Sequence, residues 1–393
     1  MTEGGKSILI IRRDNIGDLI CTTPMIRALR ERFPAARIDA LVNSYNSPAL
    51  AYNPDLDNVY AYTRIKHRER HETVAGLHWH RLKLMLLLRR QRYDWVILAN
   101  GGYLSRPLRL ARWVAPRTIV GFVPPGASRT GIGLGVPLDG QPRHEVEDLF
   151  RLLRPLGIAG PPPPLRLVYS AEAAREARDR LARNSWYHAS RPVIAIHISS
   201  RKVSQRWPAE RFTALMQRLH AVHGVQFMLF WSPGDEDNPM HPGDSRKALA
   251  IMAACARLPI LAYPTLRLEC LIGALSLCSA MVCSDGGAMH VGAGLGLPVV
   301  CFFGDSDATR WRPWCVRHEL LQKPSQDVGD ISVAEACEAF GRLLVGGSAE
   351  SPARARSSDR SSDLQDTALD KSNQIRVAAR AHLGVDLLGV SSR

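Results

Sequence analysis

Seven short apolar runs limit what this chain can become. They are SILII (7–11), DWVILANGG (94–102), RTIVGF (117–122), RPVIAIHIS (191–199), VQFMLFW (225–231), AMVCS (280–284) and PVVCFFG (298–304). None alternates apolar with polar, so each reads as a strand buried on both faces; residues 37–42 read as a further strand. The stretches between them carry helical spacing. Residues 17–33 read as one helix, 144–158 as a helix that ends at a glycine, and PAERFTALMQRLHAVHG as a helix opened by Pro208 and closed by Gly224. LRLECLIGALSLCS and AMHVGAGLG read as two more. Strand–helix alternation of this kind implies parallel sheets with helices on both faces.

The alternation stops and restarts around GPPPPL (160–165), where four consecutive prolines impose a stiff extended spacer. The expected α/β architecture is therefore two Rossmann-like domains, 1–160 and 161–346, facing a cleft. Ligands bind such folds at the carboxyl ends of the strands. From 347 to 393 the chain is rich in Ser, Arg and Asp without an apolar period, and a disordered tail is expected there. QIRVAARAHLGVDLLGV, inside it, has the pattern of a short helix.

Charge narrows the partners. The 393 residues carry a net charge of +14, which favours anionic ligands: phosphorylated substrates, an anionic membrane face or nucleic acid. No nucleic-acid-binding motif or aromatic interleaving accompanies the charge, so nucleic acid is set aside. Eight cysteines without a CxxC pair read as reduced core residues, not as a disulfide frame or a zinc site. SILII is too short for a secretory signal, and no apolar run approaches the roughly 18 residues of a spanning helix. A cytosolic protein is expected, free to rest on a membrane. Residues 67–92 read as a basic amphipathic helix, solvated or lying on anionic lipid. Of its His67, His71, His78 and His80, the i, i+2 pair His78 and His80 does not share a helix face, so no metal site is expected.

Four stretches carry candidate chemistry. RRDNIGDLI (12–20) leaves the first strand and enters a helix; Asp18 reads either as a helix cap or as a general base for a hydroxyl, and from this stretch alone the cap is favoured. CSDGGAMHVGAGLGLPVVCFFG (283–304) runs a strand into Asp285, Gly286 and Gly287 and then a helix bearing His290. Glycines there let N–H groups approach a phosphate, and Asp285 suits sugar hydroxyls; the alternative is a tight turn with close packing. HISSRKVSQRWPAERF (197–212) brings Arg201, Lys202 and Arg206 to a strand end, either to neutralise a diphosphate or as a solvated basic loop. FWSPGDED (230–237) offers Asp235 and Glu236 to ribose hydroxyls, with an acidic turn the better reading. RTGIGLG (129–135) follows no βαβ strand and is set aside as a dinucleotide fingerprint.

ILIIRRDNIGDLICTTPMIRALRERFP resembles the N-terminal signature of glycosyltransferase family 9, the lipopolysaccharide heptosyltransferases. HEVEDLFRLLRPLGI, RWPAERF and CSDGGAMHVGAGLGLPVVCFFGDSDATRWRPW resemble its later blocks in the same order. The resemblance spans roughly residues 7–344 and leaves out the tail. It implies a B-type glycosyltransferase fold whose N-terminal domain holds the acceptor, which puts Arg12, Arg13 and Asn15 at that acceptor. The C-terminal domain would hold an ADP-sugar, most simply ADP-heptose. The implied reaction inverts the anomeric centre without a divalent metal or other cofactor. The family's base falls on Asp18, its nucleotide-sugar block on Asp285, Gly286, Gly287 and His290, and its ribose-binding acid on Glu236. Two positions depart from the pattern. Gln205 stands where the family often has Lys, leaving Arg201, Lys202 or Arg206 to supply the cation, and Gly286 stands where it often has Thr. The implied acceptor is a lipid-linked anionic saccharide at the cytoplasmic face of the inner membrane. The alternatives are another nucleotide sugar, a protein acceptor, or a binding protein without turnover.

Overall fold

The computed structural model describes residues 5–62, 74–127, 129–237 and 242–345. Six parallel strands form the first sheet: β1 (Ser7–Ile11), β2 (Arg37–Asn43), β3 (Asn58–Tyr62), β4 (Trp95–Leu98), β5 (Thr118–Val123) and β6 (Leu134–Pro137), ordered 3-2-1-4-5-6. Six more form the second: β7 (Val193–His197), β8 (Gln226–Trp231), β9 (Ile260–Pro264), β10 (Ala280–Ser284), β11 (Val299–Phe303) and β12 (His318–Gln322). Their order, 9-8-7-10-11-12, repeats the first. Each sheet therefore has its switch point beside its first strand, where a crevice opens at the carboxyl ends.

Burial explains the apolar runs. Ile8 and Ile10 of β1 face Met25 and Leu29, while Leu9 and Ile11 face Leu88 and Leu108 on the other side. A strand covered on both faces has no position for a polar side chain. Strands β3, β6, β9 and β12 were absent from the sequence expectation. They are the outer strands, only partly covered; LGVP and HELLQ carry little apolar signal, while the short runs in NVYAY and ILAYP were readable and were passed over.

Two helices expected to be continuous are broken, both at proline. Residues 17–33 form Ile16–Ile20 and then Thr23–Arg32. Pro24 has no N–H to offer the Ile20 carbonyl, and the Thr23 hydroxyl donates to it instead at 2.8 Å. Residues 144–158 form the α-helix Glu145–Phe150, which tightens into a 3₁₀ segment, Arg151–Leu156, containing Pro155. Cys315 is exposed, not a core residue, because it sits in a surface turn with φ of 53°. The tail 347–393, His67 and His71 lie outside the described residues.

The two halves meet through the helices Ile16–Ile20 and Gly287–Gly294, whose buried side chains share one apolar cluster. Glycines set the distance. A Cβ on Gly287 would lie 3.2 Å from that of Ile16, and one on Gly17 would lie 2.4 Å from Cδ2 of the buried His290 ring. Gly17→Ala should therefore destabilise the protein by about 1–3 kcal/mol. Denaturant unfolding of the single variants and of Gly17→Ala/His290→Ala checks it: the loss should be smaller when the ring is also removed.

Candidate active site

The site is built on a buried cation. β1 ends at Arg12, whose side chain is only 2% exposed. Its Nη1 donates to the Ala99 carbonyl. Its Nη2 donates both to Asp18 Oδ1 at 2.7 Å and to Glu145 Oε1 at 2.8 Å. Its Nε lies 3.3 Å from Asp14 Oδ2. Burial works against the Arg12 charge, but Glu145, Asp18 and Asp14 together outweigh it and hold its pKa above the ordinary value. Arg12, expected at the acceptor, is thus buried with Asp14, Asp18, Glu145 and the Ala99 carbonyl around it.

Asp18 has two faces. Its Oδ2 accepts from the backbone N–H of Asn15 at 2.9 Å and from Asn15 Nδ2 at 2.8 Å. The helix cap is thus Asn15, and Asp18 closes the first turn from within, as a third-position acid does. Its side chain keeps 13% of its exposure. Fixed by Arg12 on one oxygen and by Asn15 on the other, it is a carboxylate of defined orientation.

On the Asp14 side of the Arg12 cluster lies a cavity of about 370 Å³ lined by Arg13, Asp14, Asn100, Leu104, Ser105, Arg106 and Pro107. Arg13 also donates to the Tyr62 hydroxyl. Asn100 Nδ2 donates to Asp14 Oδ2 at 2.7 Å, which ties the cavity wall to the Arg12 cluster. Asn15, next in the chain after Asp14, is exposed.

The second group of candidate residues comes from the half built on the second sheet. Asp285, at the end of β10, is 9% exposed, and burial pushes its carboxyl pKa up. Gln205, where a lysine was expected, donates from Nε2 to Asp285 Oδ2 at 3.0 Å and to Ser306 Oγ at 2.6 Å. The position thus holds a neutral donor that braces the acid. Lys202 pairs with Asp305 at 3.0 Å on the same side. Arg206 donates from Nε to the Ser200 carbonyl, and Arg201 is exposed. Glu236 is paired with Arg246 at 2.7 Å, and that hydrogen bond, before the nearby charges of Arg206 and Lys247, lowers its pKa. Gly286 precedes and Gly287 opens the helix that carries His290. His290 is buried against Gly17, its Nδ1 3.7 Å from Cys21 Sγ.

Glu145, Arg310 and His144 also belong to the site, although the sequence did not single them out. Glu145 is buried, and its second oxygen accepts from Arg310 of the other half. His144 lies against Trp314, its centroid 4.6 Å away, and its Nε2 donates to the Arg312 carbonyl, since Nδ1 accepts from Val146 N. In HEVEDLF the available signal is an adjacent His and Glu at a helix start.

A family model described as glycosyltransferase family 9 (heptosyltransferase) matches residues 81–333. Lipopolysaccharide heptosyltransferase 3 of Escherichia coli is 23% identical over 312 residues, covering 76% of this chain and 83% of that protein. The family 9 glycosyltransferase structure from Veillonella parvula superposes with a TM-score of 0.74 at 21% identity, covering 87% and 98% of the two chains. An E. coli heptosyltransferase solved with ADP-2-deoxy-2-fluoro heptose gives 0.66 at 18% identity, covering 86% and 99%. The architecture is that of the two-sheet, B-type glycosyltransferases. The chain belongs to glycosyltransferase family 9, the heptosyltransferases.

The buried histidines give the site a pH signature. Burial, before the neighbouring charges, lowers both His144 and His290 to about 4. Each binds a proton more weakly folded than in an unfolded chain, where the pKa is about 6.5. Their contribution is therefore fully present above that value and is lost as the pH falls through about 4. Unfolding free energy measured from pH 7 to 4 should fall steadily, and His290→Gln should flatten the fall.

Proposed function

We propose that this protein moves a heptose from ADP-heptose to a hydroxyl of a lipid-linked anionic core saccharide, inverting the anomeric carbon without a divalent metal. The observation that carries the reading is Asp18: an oriented carboxylate in the helix Ile16–Ile20 of the first half, which packs on the helix Gly287–Gly294 of the second. In this reading Asp18 takes the proton of the acceptor hydroxyl. That oxygen forms a bond to the anomeric carbon from the face opposite the diphosphate. The carbon–oxygen bond to the diphosphate breaks, and ADP carries away the electron pair. Holding both reactants in line supplies much of the rate.

Arg201, Lys202 and Arg206, with the helix N-terminus at Gly286 and Gly287, face the negative charge that develops on the leaving group. Asp285 and His290 serve the sugar, and Glu236 the ribose. Arg13 and Asn15 hold the acceptor in the adjoining cavity, where Arg106 adds a second cation for a phosphate or carboxylate. The relatives support the donor assignment through what they are: a lipopolysaccharide heptosyltransferase, and a heptosyltransferase solved with an ADP-linked fluoroheptose.

Asp18→Asn should slow transfer by about a hundredfold or more and leave donor binding nearly intact. Radiolabelled transfer assays, with calorimetric titration of ADP, UDP, GDP and ADP-heptose in EDTA, check both halves. Near-normal turnover in the variant removes the base, and selective UDP or GDP binding changes the donor.

A lipid-linked acceptor calls for a membrane face. Among the described residues no helix is long and apolar enough to cross a membrane. The helix Val74–Arg90 instead exposes Trp79, Leu82 and Leu86 at helical spacing, with Lys83 and Arg90 beside them. Apolar anchors and cations on one face suit the anionic cytoplasmic leaflet of the inner membrane, where each cation adds about 1 kcal/mol. Sedimentation with phosphatidylglycerol vesicles should capture the protein at low salt and lose it at high salt. Trp79→Ala/Leu86→Ala should weaken capture without changing ADP binding.

A further inference from the structure

Glu145 has no part in the chemistry above, yet its side chain is only 1% exposed and both its oxygens are held by arginines of different halves. Oε1 accepts from Arg12 Nη2 at 2.8 Å, and that same nitrogen donates to Asp18 at 2.7 Å. Oε2 accepts from Arg310 Nη2. Arg310 stands on the short helix Ala308–Trp311, behind β11 of the second sheet. Its guanidinium lies over the backbone of Gly101, just past β4. A Cβ there would come 2.4 Å from Arg310 Nη2 and 3.3 Å from Glu145 Oε2. Gly101 does not lie in the left-handed region of φ, so glycine is needed for space alone.

We propose that Glu145 is a positioning residue that couples the seating of the donor-side domain to the orientation of the base. This rests on the reading of Asp18 as the base. With Arg310 seated, Glu145 is balanced between two cations, and Arg12 divides one nitrogen between Glu145 and Asp18. When the halves part, Arg310 leaves, and Arg12 is then the cation shared by Asp14, Asp18 and Glu145. A buried carboxylate that has lost one cation draws the remaining one closer. Arg12 moves toward Glu145 and its hold on Asp18 loosens. The base is therefore set in place only when the donor side has closed over the acceptor.

The test is a cycle of variants: Arg310→Met, Gly101→Val, the double variant, and Arg310→Lys. kcat is measured at saturating donor and acceptor, KM for both, and ADP affinity by calorimetry. Either single substitution unseats the same contact, so each should lower kcat about tenfold or more, with ADP affinity close to that of the unaltered protein. The double variant should be no worse than the poorer single one, and Arg310→Lys should recover part of the loss. Independent, additive losses overturn the proposal, as does unchanged kcat. A fall in ADP affinity matching the loss of activity also overturns it, because Arg310 would then be a donor ligand. Asp18→Asn, assayed alongside, separates the two readings: turnover in that variant removes the base assignment, whereas the cycle alone decides whether Arg310 and Gly101 act through one contact.

Discussion

A buried guanidinium organises this molecule. Arg12 stands at the end of the central strand of the first sheet, almost without solvent, and three carboxylates and a carbonyl converge on it. A charge in that position is stable only while its partners stay, and removing one partner of a buried pair costs about 3–5 kcal/mol. The cluster therefore fixes where β1 ends, where the first helix begins and how the Glu145 helix meets both. In the proposed reading stability and chemistry are joined there, because one of the fixed carboxylates is Asp18.

The donor side follows a different logic. Its acid, Asp285, is braced by a neutral amide, and the nearest cation, Lys202, is paired with Asp305. Two neutral buried histidines, His144 and His290, sit where the halves meet and add no positive charge there at neutral pH, so the charge at the junction is that of the arginines on Glu145.

Much of this was legible from the chain. The seven apolar runs became central strands because burial on both faces leaves a composition that can be read directly. The two parallel sheets followed from the alternation, and the strand-to-helix passages that carry Asp18, Asp285 and His290 were readable in the same way. What could not be read was whatever depends on pairing across the chain. Nothing in RRDNIGDLI says that Arg12 is enclosed, since its partner Glu145 lies far along the chain. Nothing in ATRW marks Arg310 as the cation that crosses to the first half. The outer strands β6 and β12 were missed for a related reason: only partly covered, their side chains need not be apolar. The helix breaks at Pro24 and Pro155 were readable, and the apolar spacing around them masked the signal.

The contact between Gly17 and His290 has a consequence for how such chains diverge. A bare backbone on one half receives an aromatic ring from the other, and neither can change size alone. The two positions behave as one heritable unit although they lie in different halves. A lineage that put a side chain at 17 would have to shrink 290 in the same step, and the seam between the halves would drift only by such paired changes.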